Sequence, residues 1–158
     1  MPADHTTTVE LQQGMVFEAT TGTGHVLTMD AAPRVGGTNS AARPMELLLA
    51  GLGGCTGMDV ISILRKMRQE VTAYQVHVSG DQAQEHPRVF THIDVEHVVH
   101  GRGLNVDMVK RAIELSATRY CPAEAMLGRV ARIQERYRVI DEGTGAEQAG
   151  VLDKSGVD

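Results

Sequence analysis

The sequence is poor in aromatic residues, with three tyrosines, two phenylalanines and no tryptophan among its 158 residues. It has no excess of positive charge either. Its formal net charge of −5 argues against a nucleic-acid or anionic-membrane surface as its partner. No uninterrupted apolar run reaches the roughly 20 residues that a membrane-spanning helix needs. We therefore predict that this protein binds neither nucleic acid nor a membrane.

The N-terminus has neither the basic nor the apolar segment that begins a secretory signal, so we expect a cytoplasmic protein. In that compartment the two cysteines, Cys55 and Cys121, are expected to be reduced rather than joined in a structural disulfide. The length suits one domain with a substantial core. We predict this domain over residues 1–140, followed by a polar, flexible tail over 141–158.

The stretch from Pro44 to about Gln69 predicts one long helix. Pro44 suits a first helical position, where its missing N–H has no intrahelical partner. The first half is apolar on all sides, which predicts a helix buried all round. Glycines cost a helix about 1 kcal/mol each relative to alanine, so their presence predicts a close approach by another helix or a substrate. These glycines are Gly51, Gly53, Gly54 and Gly57.

The remaining chain alternates short strand patterns with two further helices. The predicted segments are a hairpin within 9–30, a loop over 31–43, strands near 74–79, 89–100 and 130–140, a helix over 106–118 capped by Asn105, and a short helix from Pro122. This order describes an α+β domain in which antiparallel sheets surround a long central helix. Because one small sheet cannot cover so apolar a helix, we expect a homodimer.

Alternation along 89–100 places three possible metal ligands, His92, Asp94 and Glu96, on one face of a strand. The same pattern is typical of the solvated face of an antiparallel sheet. The sequence favours the solvated face and leaves the metal site as an alternative.

The two cysteines have different local surroundings. Cys121 precedes Pro122 and is predicted to be the N-cap of a short helix, where free N–H groups and the helix dipole favour a thiolate. Cys55 lies in the apolar helix, where burial alone would raise its pKa. These features nominate Cys121 as the better nucleophile. The alternative for either cysteine is a small buried apolar residue.

Two acidic residues lie near Cys55 along the helix. Glu46 is nine residues earlier, which places it on the opposite side of a regular helix and about 14 Å along the axis. An acid in a first turn is also favoured by the helix dipole alone. Asp59 is one turn after Cys55, on the same face, where its charge would oppose a thiolate.

The run Pro44-Met-Glu-Leu-Leu-Leu-Ala-Gly-Leu-Gly-Gly-Cys-Thr56, followed later by Tyr120-Cys121-Pro122, resembles the OsmC/Ohr family of thiol-dependent peroxidases. The resemblance covers most of the chain, from the N-terminal hairpin to the last strand. The Gly-Gly-Cys-Thr form resembles the OsmC-like branch more than the organic hydroperoxide resistance branch.

This resemblance implies an OsmC-like fold and an intertwined homodimer with active sites at the subunit interface. It implies a hydroperoxide reductase of the peroxiredoxin type, in which Cys55 attacks the peroxide and Cys121 resolves the sulfenic acid as a disulfide. No bound cofactor is implied. The reductant would be an external dithiol, such as a lipoyl group on a protein. These roles reverse the preference for Cys121 as the first nucleophile.

The resemblance also implies a glutamate and an arginine that activate the thiolate, and here the sequence departs from the family. The family's glutamate follows the helix-opening proline directly, where this chain has Met45, and Glu46 is rotated by about 100° from that position. Residues 1–33 contain no arginine, so Arg34 or Arg43 is the nearest substitute. The alternative function is a non-enzymatic dimer that binds a small apolar ligand or senses oxidants.

Overall fold

A computed structural model describes residues 5–153 of the chain. The chain forms two compact units, one up to Leu48 and one from Leu49 onward. The boundary lies within the first two turns of the long helix α1, Pro44–Lys66. The sequence predicts one domain over residues 1–140, whereas the structure has a boundary between two compact units after Leu48.

The first unit contains a three-stranded antiparallel sheet in the order β1-β2-β3. Its strands are β1 (Thr7–Gln13), β2 (Val16–Thr21) and β3 (Val26–Met29). The predicted hairpin corresponds to β2 and β3. Strand β1 was not predicted: only Val9 and Leu11 give it an apolar alternation, and all of its residues are exposed.

The loop between β3 and α1 is organised by the buried carboxylate of Asp30. This carboxylate accepts hydrogen bonds from the backbone N–H and the hydroxyl of both Thr38 and Ser40, at 2.8–3.0 Å. These bonds, led by the one from the Ser40 N–H, hold the pKa of Asp30 well below its usual range. The predicted loop over 31–43 is confirmed, with one short 3-10 turn at Pro33–Val35.

The second unit contains a four-stranded sheet in the order β4-β5-β6-β7. Its strands are β4 (Glu70–Gln82), β5 (Phe90–Arg102), β6 (Arg132–Asp141) and β7 (Glu147–Leu152). The sheet was predicted to be antiparallel, but β5 and β6 pair in parallel. Parallel pairing is possible because the connection between them is long and contains two helices, α2 (Val106–Leu115) and α3 (Pro122–Leu127).

Strand β7 corrects the prediction of a flexible tail over 141–158. Residues Glu147–Leu152 pair antiparallel with β6, so this part of the tail is ordered. Its polar, glycine-containing sequence lacks the alternation that predicts a strand. Backbone hydrogen bonds to β6, rather than burial of side chains, hold this segment in place. The rest of the predicted tail, from residue 154, lies outside the described residues.

Helix α1 buries one stripe rather than its whole circumference. Its buried residues recur every fourth position, and they are Leu52, Thr56, Val60 and Leu64. On another face Met58 is 73% exposed, so the predicted all-round burial is wrong for a single chain. Among residues 5–153, α1 is the one helix whose length and composition would suit a membrane span, with a mean hydropathy of 1.8 over an 18-residue window. A core helix of a globular protein meets the same criterion.

Two of the helix glycines allow α1 to pack closely on β4. A Cβ atom at Gly53 would lie 3.1 Å from the Val78 side chain, and one at Gly57 would lie 3.4 Å from that of Val76. The predicted close approach therefore exists, and its partner within the chain is the sheet.

The core of the second unit joins α1 and α2 to the central strands. Its buried members are Val60, Leu64, Val99, Val109, Ala112, Ile113 and Val139. Asn105 caps α2 as predicted, because its side chain accepts hydrogen bonds from two N–H groups of the first turn. This packing fixes α2, and α2 leads directly into the segment that carries Cys121.

Candidate active site

The structure brings the two cysteines together, although they are far apart in the sequence. Cys55 is half-buried on α1, and Cys121 is buried, with 3% of its surface exposed. Both thiols are free. The Cys55 side chain lies beside the Cys121 thiol and interacts with it directly. Spacing along the chain could not show this proximity.

Cys121 is held at a junction between two helical segments. A π-helical turn, Ser116–Tyr120, follows α2 and ends at Cys121, whose N–H donates to the Ser116 carbonyl at 2.9 Å. Cys121 is also the N-cap of α3, as predicted. Its Sγ accepts a hydrogen bond from the Glu124 N–H at 3.4 Å. The backbone on both sides therefore fixes the position of this sulfur.

The residues next to Cys55 hold the same junction. The Thr56 hydroxyl lies 2.8 Å from the Ser116 hydroxyl, and the Ser116 hydroxyl donates to Asp59 Oδ2 at 3.0 Å. Thr56 and Ser116 are fully buried. These bonds join α1 to the turn before Cys121. Asp59, predicted as a charge that could oppose a thiolate, thus accepts a hydrogen bond across this contact.

The surroundings of Cys121 do not favour a thiolate. Burial raises the pKa of the Cys121 thiol to about 12, and the neighbouring Cys55 and Glu124 side chains add to the increase. The hydrogen bond from the Glu124 N–H opposes the shift but is the smaller effect. At Cys121 the loss of solvent therefore outweighs the helix N-terminus, from which a thiolate was expected.

A row of buried polar side chains crosses the inner face of the second sheet. The Tyr74 hydroxyl lies 2.5 Å from His97 Nδ1, and His97 Nε2 lies 2.9 Å from Glu135 Oε2. These residues belong to β4, β5 and β6, and His97 and Glu135 are 0% and 1% exposed. This row was not predicted from the sequence. The alternation that buries Val95 and Val99 also places His97 on the buried face.

Burial favours the uncharged forms of His97 and Tyr74. It lowers the pKa of His97 to about 4, against a smaller opposing effect of the Glu124 charge. It also raises the pKa of Tyr74 above its usual range, and the charges of Glu135 and Asp59 add to that shift. At neutral pH His97 is thus an uncharged imidazole with one donor and one acceptor nitrogen, both used by its two partners.

Glu124 is the carboxylate that connects these two groups of residues. It is in the first turn of α3 and is 3% exposed, and its charge acts on both Cys121 and His97. A glutamate three residues after an N-cap is a typical capping position, so Glu124 could have been recognised from the sequence. Its burial beside a thiol could not be recognised in that way.

The predicted activating residues, Glu46 and Arg34, belong to the first unit. Glu46 Oε2 accepts a hydrogen bond from the Arg43 N–H at 2.8 Å, so Glu46 caps the start of α1. Arg34 is exposed in the 3-10 turn. The Arg43 guanidinium donates to the Asn39 side chain at 2.8 Å and to the Ala41 carbonyl at 3.3 Å. These bonds build the loop and the helix start.

The strand residues proposed as an alternative metal site form ion pairs instead. Asp94 lies 2.9 Å from both His92 and Arg136, and Glu96 lies 3.1 Å from Arg138. All are partly exposed on the outer face of the sheet. Across residues 5–153, no group of three or more histidine, cysteine or acidic side chains has a metal-binding arrangement. The solvated-face interpretation therefore fits the structure.

Comparison with known proteins places these features in a family. A family model described as OsmC-like protein matches residues 37–136, which is more than half of the chain. Protein YhfA of Escherichia coli strain K12 is 37% identical over 132 residues, covering 84% of this chain and 96% of that protein.

Structures of other proteins share the fold. A hypothetical protein from Aquifex aeolicus VF5 is 28% identical, with a TM-score of 0.78, over 90% of this chain and 99% of that one. An organic hydroperoxide resistance protein OsmC from Legionella pneumophila has a TM-score of 0.62 at 16% identity, over 89% and 99% of the two chains.

These matches agree with the resemblance carried by the Pro44–Thr56 run and the later Cys121-Pro122 pair. The α+β fold with two sheets and one long helix is likewise confirmed. The helix-borne cysteine, the capping cysteine beside it and the matched sequence all lead to one conclusion: the chain belongs to the OsmC-like protein family.

Proposed function

We propose that this protein is a thiol-dependent peroxidase that reduces organic hydroperoxides. The observation that carries the proposal is the contact between the Cys55 and Cys121 thiols. Two adjacent free thiols, one half-buried and one buried, are the arrangement that a peroxidatic and a resolving cysteine require. The structural neighbour from Legionella pneumophila is named as an organic hydroperoxide resistance protein, which points to the same substrate class.

The reaction proceeds in three balanced steps. The Cys55 sulfur attacks the O–O bond of a hydroperoxide, takes one oxygen to become a sulfenic acid, and releases the corresponding alcohol. The Cys121 sulfur then attacks the Cys55 sulfur, so that an S–S bond forms and water leaves. An external dithiol finally reduces this disulfide, restores both thiols and is itself oxidised to a disulfide.

The assignment of the first step to Cys55 follows from exposure. Cys121 is 3% exposed and its thiol has a pKa of about 12, so it is poorly placed to meet a peroxide from solvent. Cys55 is more accessible. The apolar character of α1 around Cys55 favours fatty or aryl hydroperoxides over H2O2.

The working form in this proposal is a cytoplasmic homodimer that holds no cofactor of its own. A second copy would cover the apolar surface of α1 that one chain leaves exposed, including Met58 at 73% exposure. The reductant is a dithiol or a lipoylated protein. Arg34 and Glu46 are proposed to help activate Cys55.

The test is single-turnover oxidation of the reduced protein by cumene hydroperoxide, compared with H2O2, with the product read by intact mass. The wild type is expected to lose two hydrogens rapidly with the organic peroxide as a Cys55–Cys121 disulfide forms. Cys121→Ser should stop after gaining one oxygen, and Cys55→Ser should not react. Slow oxidation without preference between the two peroxides would contradict the proposal.

A second candidate is a non-enzymatic dimer that binds a small apolar ligand or senses oxidants. A groove of about 480 Å³ between α1 and β4 favours it, since this volume lies within the range of small-molecule sites. Apolar side chains such as Met58, Ile61 and Val76 line the groove. Saturable binding of an apolar probe, with slow oxidation of both thiols, would support this candidate over the peroxidase.

A further inference from the structure

We propose that Glu124 is the proton acceptor for Cys121 when the disulfide closes, and that it returns this proton to the departing oxygen. The inference rests on the proposed function, because it assigns a residue to the second step of that reaction. It concerns a side chain that neither sequence analysis nor the family resemblance singles out.

The backbone of Glu124 is fixed next to the Cys121 sulfur. Glu124 is three residues after Cys121 in the first turn of α3, and its N–H donates to the Cys121 Sγ at 3.4 Å. Both residues are 3% exposed. The carboxylate is close enough for its charge to act on the thiol. Bulk water therefore has little access to the proton that must leave Cys121, and Glu124 is an acidic neighbour inside the same enclosure.

The chemistry of closure requires such an acceptor. Cys121 begins as a neutral thiol, because burial holds its pKa at about 12. As its sulfur bonds to the Cys55 sulfur, the S–H proton becomes strongly acidic and must be removed. The oxygen of the Cys55 sulfenic acid must gain a proton to leave as water. A carboxylate that accepts the first proton and donates it to the oxygen leaves the overall proton count unchanged.

The other ionisable groups near this thiol lie on α1 and on the central strands. Asp59 on α1 accepts from Ser116, and His97 on β5 lies between Tyr74 on β4 and Glu135 on β6, with both ring nitrogens in contact. Glu124 is the group whose charge reaches both the thiol and His97.

Glu124→Gln gives two opposite predictions for two roles. If the carboxylate only repels a Cys121 thiolate, removing its charge lowers the thiol pKa and makes closure faster. If it accepts the proton, closure becomes slower, by about 100-fold or more. The glutamine retains the backbone N–H that contacts the sulfur, so the sign of the change separates the roles.

Closure can be measured without a peroxide, which separates this inference from the proposed function. An aromatic disulfide reagent that releases coloured thionitrobenzoate would first form a mixed disulfide with Cys55. Attack by Cys121 would then release a second thionitrobenzoate and a proton. The rate of this second release reports the closure step alone. If the protein does not reduce the peroxide but the second release proceeds normally, the proposed function is overturned. The role of Glu124 in disulfide formation is still tested by this assay.

We expect the second release to be nearly independent of pH in the wild type wherever Glu124 is ionised. In Glu124→Gln it should be slow at neutral pH and rise about tenfold per pH unit, as expected of a thiolate-dependent attack. Glu124→Asp should restore part of the rate. Urea unfolding of each variant, with both thiols blocked, verifies that the comparison is between folded proteins.

The matched control is Glu135→Gln, which removes a second buried carboxylate that partners His97 rather than the thiol. It should close at the wild-type rate. Equal or faster closure in Glu124→Gln, an unchanged pH profile, or an equal loss in Glu135→Gln would each overturn the assignment of Glu124 as the proton acceptor.

Discussion

Two histidine–carboxylate pairs lie on opposite faces of the second sheet and have the same separation. On the outer face His92 Nε2 lies 2.9 Å from Asp94, and on the inner face His97 Nε2 lies 2.9 Å from Glu135. The outer side chains are 32% and 30% exposed, whereas the inner ones are 0% and 1% exposed. Distance alone would treat the two pairs as equivalent.

The difference between the pairs lies in how much solvent each has lost. Solvent screens the outer pair, and such exposed pairs contribute about 0–1 kcal/mol. The inner pair has lost its water, so its groups depend on each other and on Tyr74 for hydrogen bonds. Burial also lowers the pKa of His97 to about 4. The comparison teaches that environment, rather than contact geometry, decides which polar residues matter to the fold.

The largest expected effect is loss of the inner histidine. His97→Ala removes the group bonded to Glu135 Oε2 and the Tyr74 hydroxyl, and breaking a buried pair in this way costs about 3 to 5 kcal/mol of unfolding free energy. Urea unfolding at neutral pH measures the change. The matched variant His92→Ala, at the outer pair, should lose less than about 1 kcal/mol. Equal losses in both variants would contradict the comparison.

The second effect is a dependence of stability on pH. Because the pKa of His97 is about 4 in the folded protein and near 6.5 when unfolded, the unfolded chain binds a proton first as the pH falls. The unfolding free energy should therefore drop between about pH 6.5 and pH 4, by up to about 3 kcal/mol.

The variant His97→Gln tests this contribution, because its side-chain amide does not take up a proton in this pH range. Its unfolding free energy, measured in urea across the same pH range, should fall less steeply than that of the wild type. Parallel curves would mean that the folded protein accepts a proton on His97 as readily as the unfolded chain does.

The smallest effect is expected at the outer pair. The Arg136 hydrogen bond holds the pKa of Asp94 below its usual value, so this contribution is present above about pH 4 and is lost on further acidification. Asp94→Asn should cost about 0.5 kcal/mol at neutral pH. Because the pair is solvent-accessible, the cost should shrink as salt is raised to about 1 M. A loss above about 1 kcal/mol that does not change with salt would mean that Asp94 contributes to stability as a buried group does.

Local patterns predicted the ends and caps of the helices. The helix start at Pro44, the Asn105 cap and the Cys121 N-cap each depend on a few adjacent residues, and the structure has all three. Strand β7 could not be predicted in this way. It is an edge strand held by backbone pairing with β6, which does not require an apolar pattern.

The sequence nominated the two thiols of the candidate site but not their surroundings. The pattern around Cys55 and Cys121 predicted both as site residues, and the matches to the family agree with the resemblance on which that prediction depends. The ionisation of Cys121 was predicted with the wrong sign, because a helix N-terminus can be recognised from sequence whereas the extent of burial cannot. His97 and Glu135 were missed for the same reason.

By itself the sequence determined the order of most of the elements, the long apolar helix, the two thiols and the family. Each of these follows from local periodicity, capping chemistry or a run of matched residues. Tertiary structure alone decided that Cys55 lies beside Cys121, that β5 pairs in parallel with β6, and that Glu124 is buried together with Cys121. These outcomes depend on contacts between distant segments and on the exclusion of water, which local pattern does not encode.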